Sequence, residues 1–257
     1  MGPSSRALIT GASSGLGREM ARQLGARGWR VAVTGRRDRN LQETADQVKA
    51  VGGECLALVG SVTDKDTVGR HYAAIRDLWG GLDWAILNAG VGDSVDARRF
   101  NADTCHRVFA TNLGGAVNWI EAVLPDMLDA RSGTIAGISS LAAFRGLPRA
   151  GAYSASKAAL ATLLESTRVD LRGTGVDVVI VCPGFIKNGG SPGSEQGKPF
   201  LLETEDGVRR ILSGIDRKQR LVHFPWQLSY AMKYGVHNLP GFAYDWLMDK
   251  LAGKPKT

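Results

Sequence analysis

The sequence predicts an α/β fold: a doubly wound parallel sheet of about seven strands with helices on both faces. Three observations predict it. Short apolar runs without polar alternation recur from the first residues onward, as strands buried on both faces require. Longer helical stretches separate them, which makes the connections crossovers rather than hairpins. A glycine-rich turn, Thr10-Gly11-Ala12-Ser13-Ser14-Gly15-Leu16-Gly17, joins the first strand to the first helix.

The elements follow in order. Residues 7–10 (ALIT) read as the first strand, with a helix from the glycine-rich turn to about Arg27. Residues 31–34 (VAVT) form the second strand, followed by a helix through about Val51 that Asp38 opens as a cap. Residues 55–59 are the third strand and 64–79 its helix. Residues 84–87 are the fourth, leading into a long helical region that ends near Ala130. Residues 134–138 and 176–181 are the fifth and sixth strands, with a helix over 150–172 between them, and residues 220–224 are the seventh. Right-handed crossovers then place the ligand crevice at the strands' C-terminal ends. The stretch 188–199, rich in Gly, Ser and Pro, lies just after the sixth strand. It reads as part of a substrate lid over 186–203 or as an inert surface loop. The whole chain, 1–257, reads as one dinucleotide-binding and catalytic domain with a hydrophobic C-terminal extension over 226–257.

Composition narrows the classes. Hydrophobic residues at 44% and charged residues at 22% are those of a globular protein. Cys55, Cys105 and Cys182 form no CxxC pair, and His71, His106, His223 and His237 show no metal-ligand spacing, so neither a disulfide framework nor a metal site is expected. The net charge of +7 is spread along the chain without a basic run, so no nucleic-acid partner is expected. No stretch is long and apolar enough for a membrane helix, and the glycine-rich turn leaves no room for a signal peptide. Arg6 stands where N-myristoylation after Met1-Gly2 wants Ser or Thr. A reducing cytoplasm is the expected compartment.

The glycines of the first turn let the backbone bend sharply and approach a pyrophosphate, and the helix behind them offers unpaired N–H groups to the anion. The G-x-x-x-G-x-G spacing resembles that of the short-chain dehydrogenase/reductase family. Further motifs carry the resemblance in order: Asn88-Ala89-Gly90 after the fourth strand, Asn112 in the fourth helix, Ser140 after the fifth strand, Tyr153 and Lys157 as Y-x-x-x-K, and Pro183-Gly184 after the sixth strand. It covers about residues 6–224. It implies a doubly wound (Rossmann) fold, a nicotinamide cofactor, and hydride transfer between a carbonyl and an alcohol carbon of a small-molecule substrate.

Tyr153 and Lys157, four apart on a helix, share one face. A free tyrosine has a pKa of about 10, and a neighbouring ammonium or the positive nicotinamide of the oxidised cofactor favours the phenolate. In the reductive direction Tyr153 protonates the carbonyl oxygen. The resemblance implies that Ser140 holds the substrate oxygen, that Lys157 also binds the nicotinamide ribose, and that Asn112 positions a water linking Lys157 to solvent. The thirteen-residue offset to Tyr153 selects Ser140 over Ser139.

The second strand ends Thr34-Gly35-Arg36-Arg37, with Gly35 where an NAD-binding fold places an acid. A guanidinium binds a 2′-phosphate that a carboxylate repels, so Arg36 and Arg37 predict NADP(H). Two positions depart from the family pattern. The adenine-contacting aspartate appears as Ser61, in Gly60-Ser61-Val62, and the threonine after Pro183-Gly184 as Asn188. Ile186 is expected to reach the carboxamide through its backbone.

The aromatic-rich segment 226–251 reads either as a cover for a bulky, lipid-like substrate with peripheral membrane contact, or as helices completing the core or an oligomer interface. By resemblance, helices over 101–130 and 150–172 assemble a homodimer or homotetramer. A non-catalytic NADP(H)-binding regulator is the alternative to an enzyme, and a sugar-nucleotide epimerase or dehydratase has too little C-terminal chain.

Overall fold

The computed structural model describes residues 5–187 and 197–252. Seven strands, β1 (Arg6–Thr10), β2 (Arg30–Gly35), β3 (Glu54–Val59), β4 (Trp84–Leu87), β5 (Gly133–Ile138), β6 (Val176–Pro183) and β7 (Leu221–Phe224), form one sheet in the order β3-β2-β1-β4-β5-β6-β7. Every neighbouring pair is parallel. The order reverses between β1 and β4, which opens a crevice at their C-terminal ends.

The strands lack polar alternation because both faces are covered. Ala7 and Ile9 of β1 face Met20 and Leu24 of α1 (Gly15–Gly25) and Ile211 and Ile215 of α7 (Thr204–Asp216), with α2 (Asp38–Ala50) beside them. Leu8 faces the other way, toward Ile75 of α3 (Lys65–Trp79), Trp119 of α5 (Gly115–Asp129) and Leu164 of α6 (Gly151–Asp170). Each fully buried Leu or Ile contributes about 1.5–3 kcal/mol, so these two layers dominate the stability.

Three boundaries differ from expectation. Asp38 is not the cap of α2: Arg37 holds that position, and Asp38 opens the first turn, where its charge favours the helix dipole. Asp64 caps α3 from outside the helix, accepting from the Thr67 N–H at 3.0 Å. The long fourth helix is divided into α4 (Ala102–Phe109), a π-helical turn over Ala110–Gly114, and α5.

The C-terminal segment forms α8 (Trp226–Tyr230), two short irregular turns and α9 (Gly241–Ala252). It is bolted to the loop after β5. Arg145 donates to the His237 and Leu239 carbonyls at 2.6 and 3.3 Å, and the Tyr244 hydroxyl donates to the Gly146 carbonyl. The two ends of the expected lid are held together: Lys187 N–H donates to Leu202 O at 2.9 Å and Leu202 N–H to Phe185 O at 3.0 Å. Its middle, 188–196 with Asn188, lies outside the described residues, as do Met1, Gly2, Lys254 and Lys256. Among the described residues no helix is long and apolar enough to cross a membrane.

Candidate active site

The chain leaves β1 through Gly11, whose φ of +66° suits a residue without a side chain. A Cβ there would stand 2.7 Å from the Ala89 Cα, so the turn lies directly against the end of β4. Gly17 brings the first turn of α1 equally close: a Cβ on it would meet the Gly11 carbonyl at 2.4 Å and the Ala12 Cα at 2.8 Å. Ser14 precedes α1 without capping it through its side chain, and no acid occupies the first turn. Its N–H groups therefore remain open to an anion. Thr10 and Asn88 lock this arrangement. The Thr10 hydroxyl accepts from the backbone N–H of Asn88 and of Ala89, both at 2.9 Å. The Asn88 amide donates to the Thr10 and Gly11 carbonyls at 3.0 and 3.3 Å.

A cleft of about 500 Å³ opens above the loop. Gly11, Ser13 and Ser14 line one side, Arg36 and Arg37 the end, Ser61 and Val62 the floor near β3, and Asn88, Ala89 and Gly90 the wall toward β4. Its charged lining residues are Arg36, Arg37 and Arg107, with no carboxylate among the described residues. Arg37 folds back over the glycine-rich turn, donating to the Ser13 and Ser14 hydroxyls at 3.1 and 2.7 Å. The Ser61 hydroxyl is paired locally with that of Thr63 at 2.8 Å.

A second cavity of about 550 Å³ shares Asn88, Gly90 and Val91 with the first and reaches Tyr153 and Lys157. Side-chain direction at the end of β5 separates the two serines. Ser139 turns inward, donating to the Lys157 carbonyl at 2.8 Å, whereas the Ser140 hydroxyl accepts from Ala142 N–H at 3.1 Å and acts on the Tyr153 phenol, drawing its pKa down. Lys157 is buried, donates from Nζ to the Ile138 carbonyl at 2.7 Å, and sits 5.8 Å from the centre of the Tyr153 ring.

Asn112 lies in the π-helical turn. Its Oδ1 accepts from Val91 N–H at 2.7 Å, and its Nδ2 donates to Val91 O at 3.0 Å and to Ser156 Oγ at 2.9 Å. Both donors are thus engaged, and one lone pair of Oδ1 is left for a further partner. A Cβ at Gly90 would lie 3.3 Å from both Asn112 Oδ1 and Lys157 Nζ, so the glycine keeps open the gap between them.

Burial sets the electrostatics. Desolvation pushes the Lys157 ammonium down to about 8. It pushes the Tyr153 phenol above its ordinary value, with the Ser140 hydrogen bond opposing. The Cys182 thiol is pushed up to about 11 by burial and stays protonated near this group. At neutral pH the arrangement holds a protonated phenol, a serine hydroxyl and a buried ammonium around one opening.

The structure thus brings Ser140, Tyr153, Lys157 and Asn112 together and joins them to the glycine-rich cleft. Gly15, Leu16 and Gly17 lie behind the cleft lining as the start of α1. Pro183 ends β6, and Gly184 is pressed against Pro225, which a Cβ would meet at 2.9 Å. Ile186 pairs with Leu202 and packs on Gly207. Sequence reasoning missed Thr63, Arg107 and Thr111, which line the cleft, and the structural role of Thr10. Thr10, the polar end of an apolar strand, was the one legible signal among them.

The family model for short chain dehydrogenases matches residues 5–196. An uncharacterized oxidoreductase of Myxococcus xanthus is 45% identical over 223 residues, covering 87% of this chain and 88% of the relative. A ketoacyl reductase of Nostoc is 34% identical over 183 residues, 71% of this chain and 64% of its own. A 3-oxoacyl-(acyl-carrier-protein) reductase of Staphylococcus aureus is 35% identical over 181 residues, 70% and 74% respectively. The chain belongs to the short-chain dehydrogenase/reductase family and is an oxidoreductase acting on CH–OH and C=O groups.

Proposed function

We propose that the protein is an NADP(H)-dependent reductase that interconverts a ketone or aldehyde with its alcohol, on a substrate with a substantial hydrophobic part. The observation that carries this reading is the meeting of Tyr153 and Lys157, with Ser140 acting on the phenol, at a cavity that shares Asn88, Gly90 and Val91 with the glycine-rich cleft. The cleft fits a dinucleotide: Gly11 and Gly17 let the turn and the start of α1 pack directly against each other and the end of β4, and the N-terminus of α1 is open. Gly11, Ser13, Ser14, Gly15, Leu16 and Gly17 would hold the pyrophosphate. Ser61 and Val62 would hold the adenine, and Asn88, Ala89 and Gly90 the inner ribose side. Pro183, Gly184 and Ile186 would border the nicotinamide end. Bound there, the cofactor supplies the hydride.

The chain's own residues handle the proton. In reduction the Ser140 hydroxyl donates to the substrate oxygen and holds it beside Tyr153. The Tyr153 phenol, kept protonated at neutral pH by burial, gives its proton to that oxygen as negative charge develops. The Lys157 ammonium stabilises the resulting phenolate. Asn112 holds the Val91 backbone and offers its remaining lone pair to a water in the gap at Gly90, through which Tyr153 and Lys157 regain a proton. Arg36 and Arg37, in a cleft lined by no carboxylate among the described residues, favour a 2′-phosphate. Apolar lining from Val91, Ile138, Pro148 and Phe185 supports a hydrophobic substrate. The non-catalytic alternative finds no support, since the matched ketoacyl and oxoacyl relatives are named as reductases.

Side-by-side calorimetric titration with NADPH and NADH tests the cofactor, with Arg36→Ala expected to weaken NADPH far more than NADH. Equal weakening removes the phosphate role. Tyr153→Phe is expected to abolish turnover while retaining NADPH binding, and normal turnover in that variant refutes the proton-transfer assignment.

A further inference from the structure

The Tyr153 cavity carries a second feature that hydride and proton transfer leave unused. Arg149 lines it, four residues before Tyr153, with its backbone in the left-handed region at φ +60°. An L residue with a side chain occupies that region at a cost that glycine escapes. The Arg149 carbonyl is held by the adjacent segment, accepting from Val95 N–H at 2.8 Å and from the Ser94 hydroxyl at 3.2 Å. Residues held in such regions cluster at active sites and ligand clamps.

The guanidinium itself has no ion pair or hydrogen bond among the described residues. Of the nearby carboxylates, Asp96, on which the Arg149 charge also acts, is gripped by Arg98 at 3.1 and 2.7 Å, and Asp93, which lines the same cavity, pairs with Arg107 at 3.2 Å. Lys198 lines the same cavity, 5.9 Å from the centre of the Phe185 ring, and likewise has no carboxylate partner among the described residues. Two cations without an ion pair among the described residues therefore line one cavity, whose wall combines the apolar Val91, Ile138, Pro148 and Phe185 with the polar Asn88, Asp93, Ser94 and Lys157. A cleft with low-dielectric walls focuses such charge onto whatever enters it.

We propose that Arg149 and Lys198 bind an anionic group on the substrate. The substrate is then a carbonyl compound that carries a carboxylate or a phosphate away from the reacting carbon, with its apolar part against Val91, Ile138 and Phe185. This rests on the reading of the Tyr153 cavity as the place where the carbonyl is reduced. The guanidinium fork matches either oxyanion, and the lysine adds a point charge across the opening.

The test compares kcat/KM for acetoacetate, its uncharged ethyl ester and acetoacetyl-coenzyme A, in the wild type and in Arg149→Gly, Arg149→Lys and Lys198→Gln. Glycine accepts the left-handed backbone, so Arg149→Gly removes the charge without disturbing the turn. At least one anionic substrate is expected to be preferred over the ester by about tenfold or more, the lower end of what a hydrogen bond to a charged group is worth. Preference for acetoacetate identifies a carboxylate, and preference for the thioester alone a phosphate-bearing carrier. Arg149→Gly should erase most of that ratio through KM, Lys198→Gln should reduce it, and Arg149→Lys should retain part of it. No preference for either anion overturns the proposal. So does an equal loss on acid and ester in Arg149→Gly, which damage to the Tyr153 turn would produce. If none of the three is turned over, calorimetry of the NADPH-loaded protein with decanoate and decanol decides the matter. Tighter decanoate binding that is lost in Arg149→Gly upholds the anion site even where the reductase reading fails, and equal affinities overturn it.

Discussion

Replacing Gly17 with alanine probes the contact that holds α1 against the glycine-rich turn. The new Cβ would lie 2.4 Å from the Gly11 carbonyl and 2.8 Å from both the Ala12 Cα and the Asn88 amide nitrogen. Two of these are backbone atoms and cannot swing away. Reaching 3.0 Å, below which real Cβ contacts essentially never fall, requires a retreat of 3.0 − 2.4 = 0.6 Å at least. Overpacking of this kind costs about 1–3 kcal/mol. In a free helix the same substitution gains up to about 1 kcal/mol, so a net loss of about 1–2 kcal/mol is expected and its sign shows which effect wins. The same displacement carries a hydrogen bond from about 2.9 Å to about 3.5 Å, the edge of a useful contact. Losing one charge-assisted bond from the α1 N–H groups is expected to weaken nicotinamide dinucleotide binding by roughly tenfold or more. Urea unfolding followed by circular dichroism reads the first quantity and calorimetric titration the second. Wild-type stability together with wild-type affinity refutes the close-packing argument. Lost stability with unchanged affinity separates the anion from the helix N-terminus.

Three further outcomes follow from single sites. Asn112→Ala leaves the Val91 N–H and carbonyl without their side-chain partner and the Ser156 hydroxyl with only its bond to the Tyr153 carbonyl, which is expected to cost about 2–4 kcal/mol in urea unfolding; a loss below about 1 kcal/mol means water replaces the amide freely. Leu164→Ala empties a fully buried site whose Cδ1 lies 2.1 Å from where a Cβ on Gly137 would stand. It should destabilise by about 2–5 kcal/mol, and a cost under about 1 kcal/mol shows that the α6–β5 contact collapses to fill the void. Lys157 supplies a pH signature. Its ammonium is held at about 8 by burial, below its ordinary 10.5. Below pH 8 both folded and unfolded chains carry the charge and the burial cost is fully present. From pH 8 to 10 the unfolded chain keeps a proton the folded chain has shed, so stability rises with pH. The stability of the wild type relative to Lys157→Met should therefore rise across that window, by up to about 1.4 kcal/mol per pH unit. A flat difference contradicts the buried-charge assignment.

Much of the architecture was legible because its signals are local. Runs such as ALIT and VAVT lack polar alternation only where both faces of a strand are buried, and all seven expected strands are present within a residue or two. Local reading failed where a side chain competes with helix geometry. Nothing in 101–130 announces that Asn112 bonds to Val91 and that the helix widens into a π turn around it. Arg37 looked like a phosphate ligand from sequence, and the structure adds that it also bridges to Ser13 and Ser14, a contact between residues twenty-three and twenty-four positions apart.

By itself the sequence determined the α/β class, the order of strands and crossovers, and the identity of Ser140, Tyr153, Lys157 and Asn112 as a candidate group. The class and the strand order follow from hydrophobic period, a property of neighbouring residues, and the candidate group from the resemblance its motifs bear to a known family. The tertiary structure alone decided that Ser139 turns to the Lys157 carbonyl while Ser140 meets the Tyr153 phenol. It also decided that Lys157 is buried deeply enough to drop to about 8, and that Arg149 and Lys198 share the Tyr153 cavity. The physical reason is common to all three. Burial, side-chain direction and charge proximity are set by elements far apart in the chain, and only the closing of the sheet at the β1–β4 reversal brings them together.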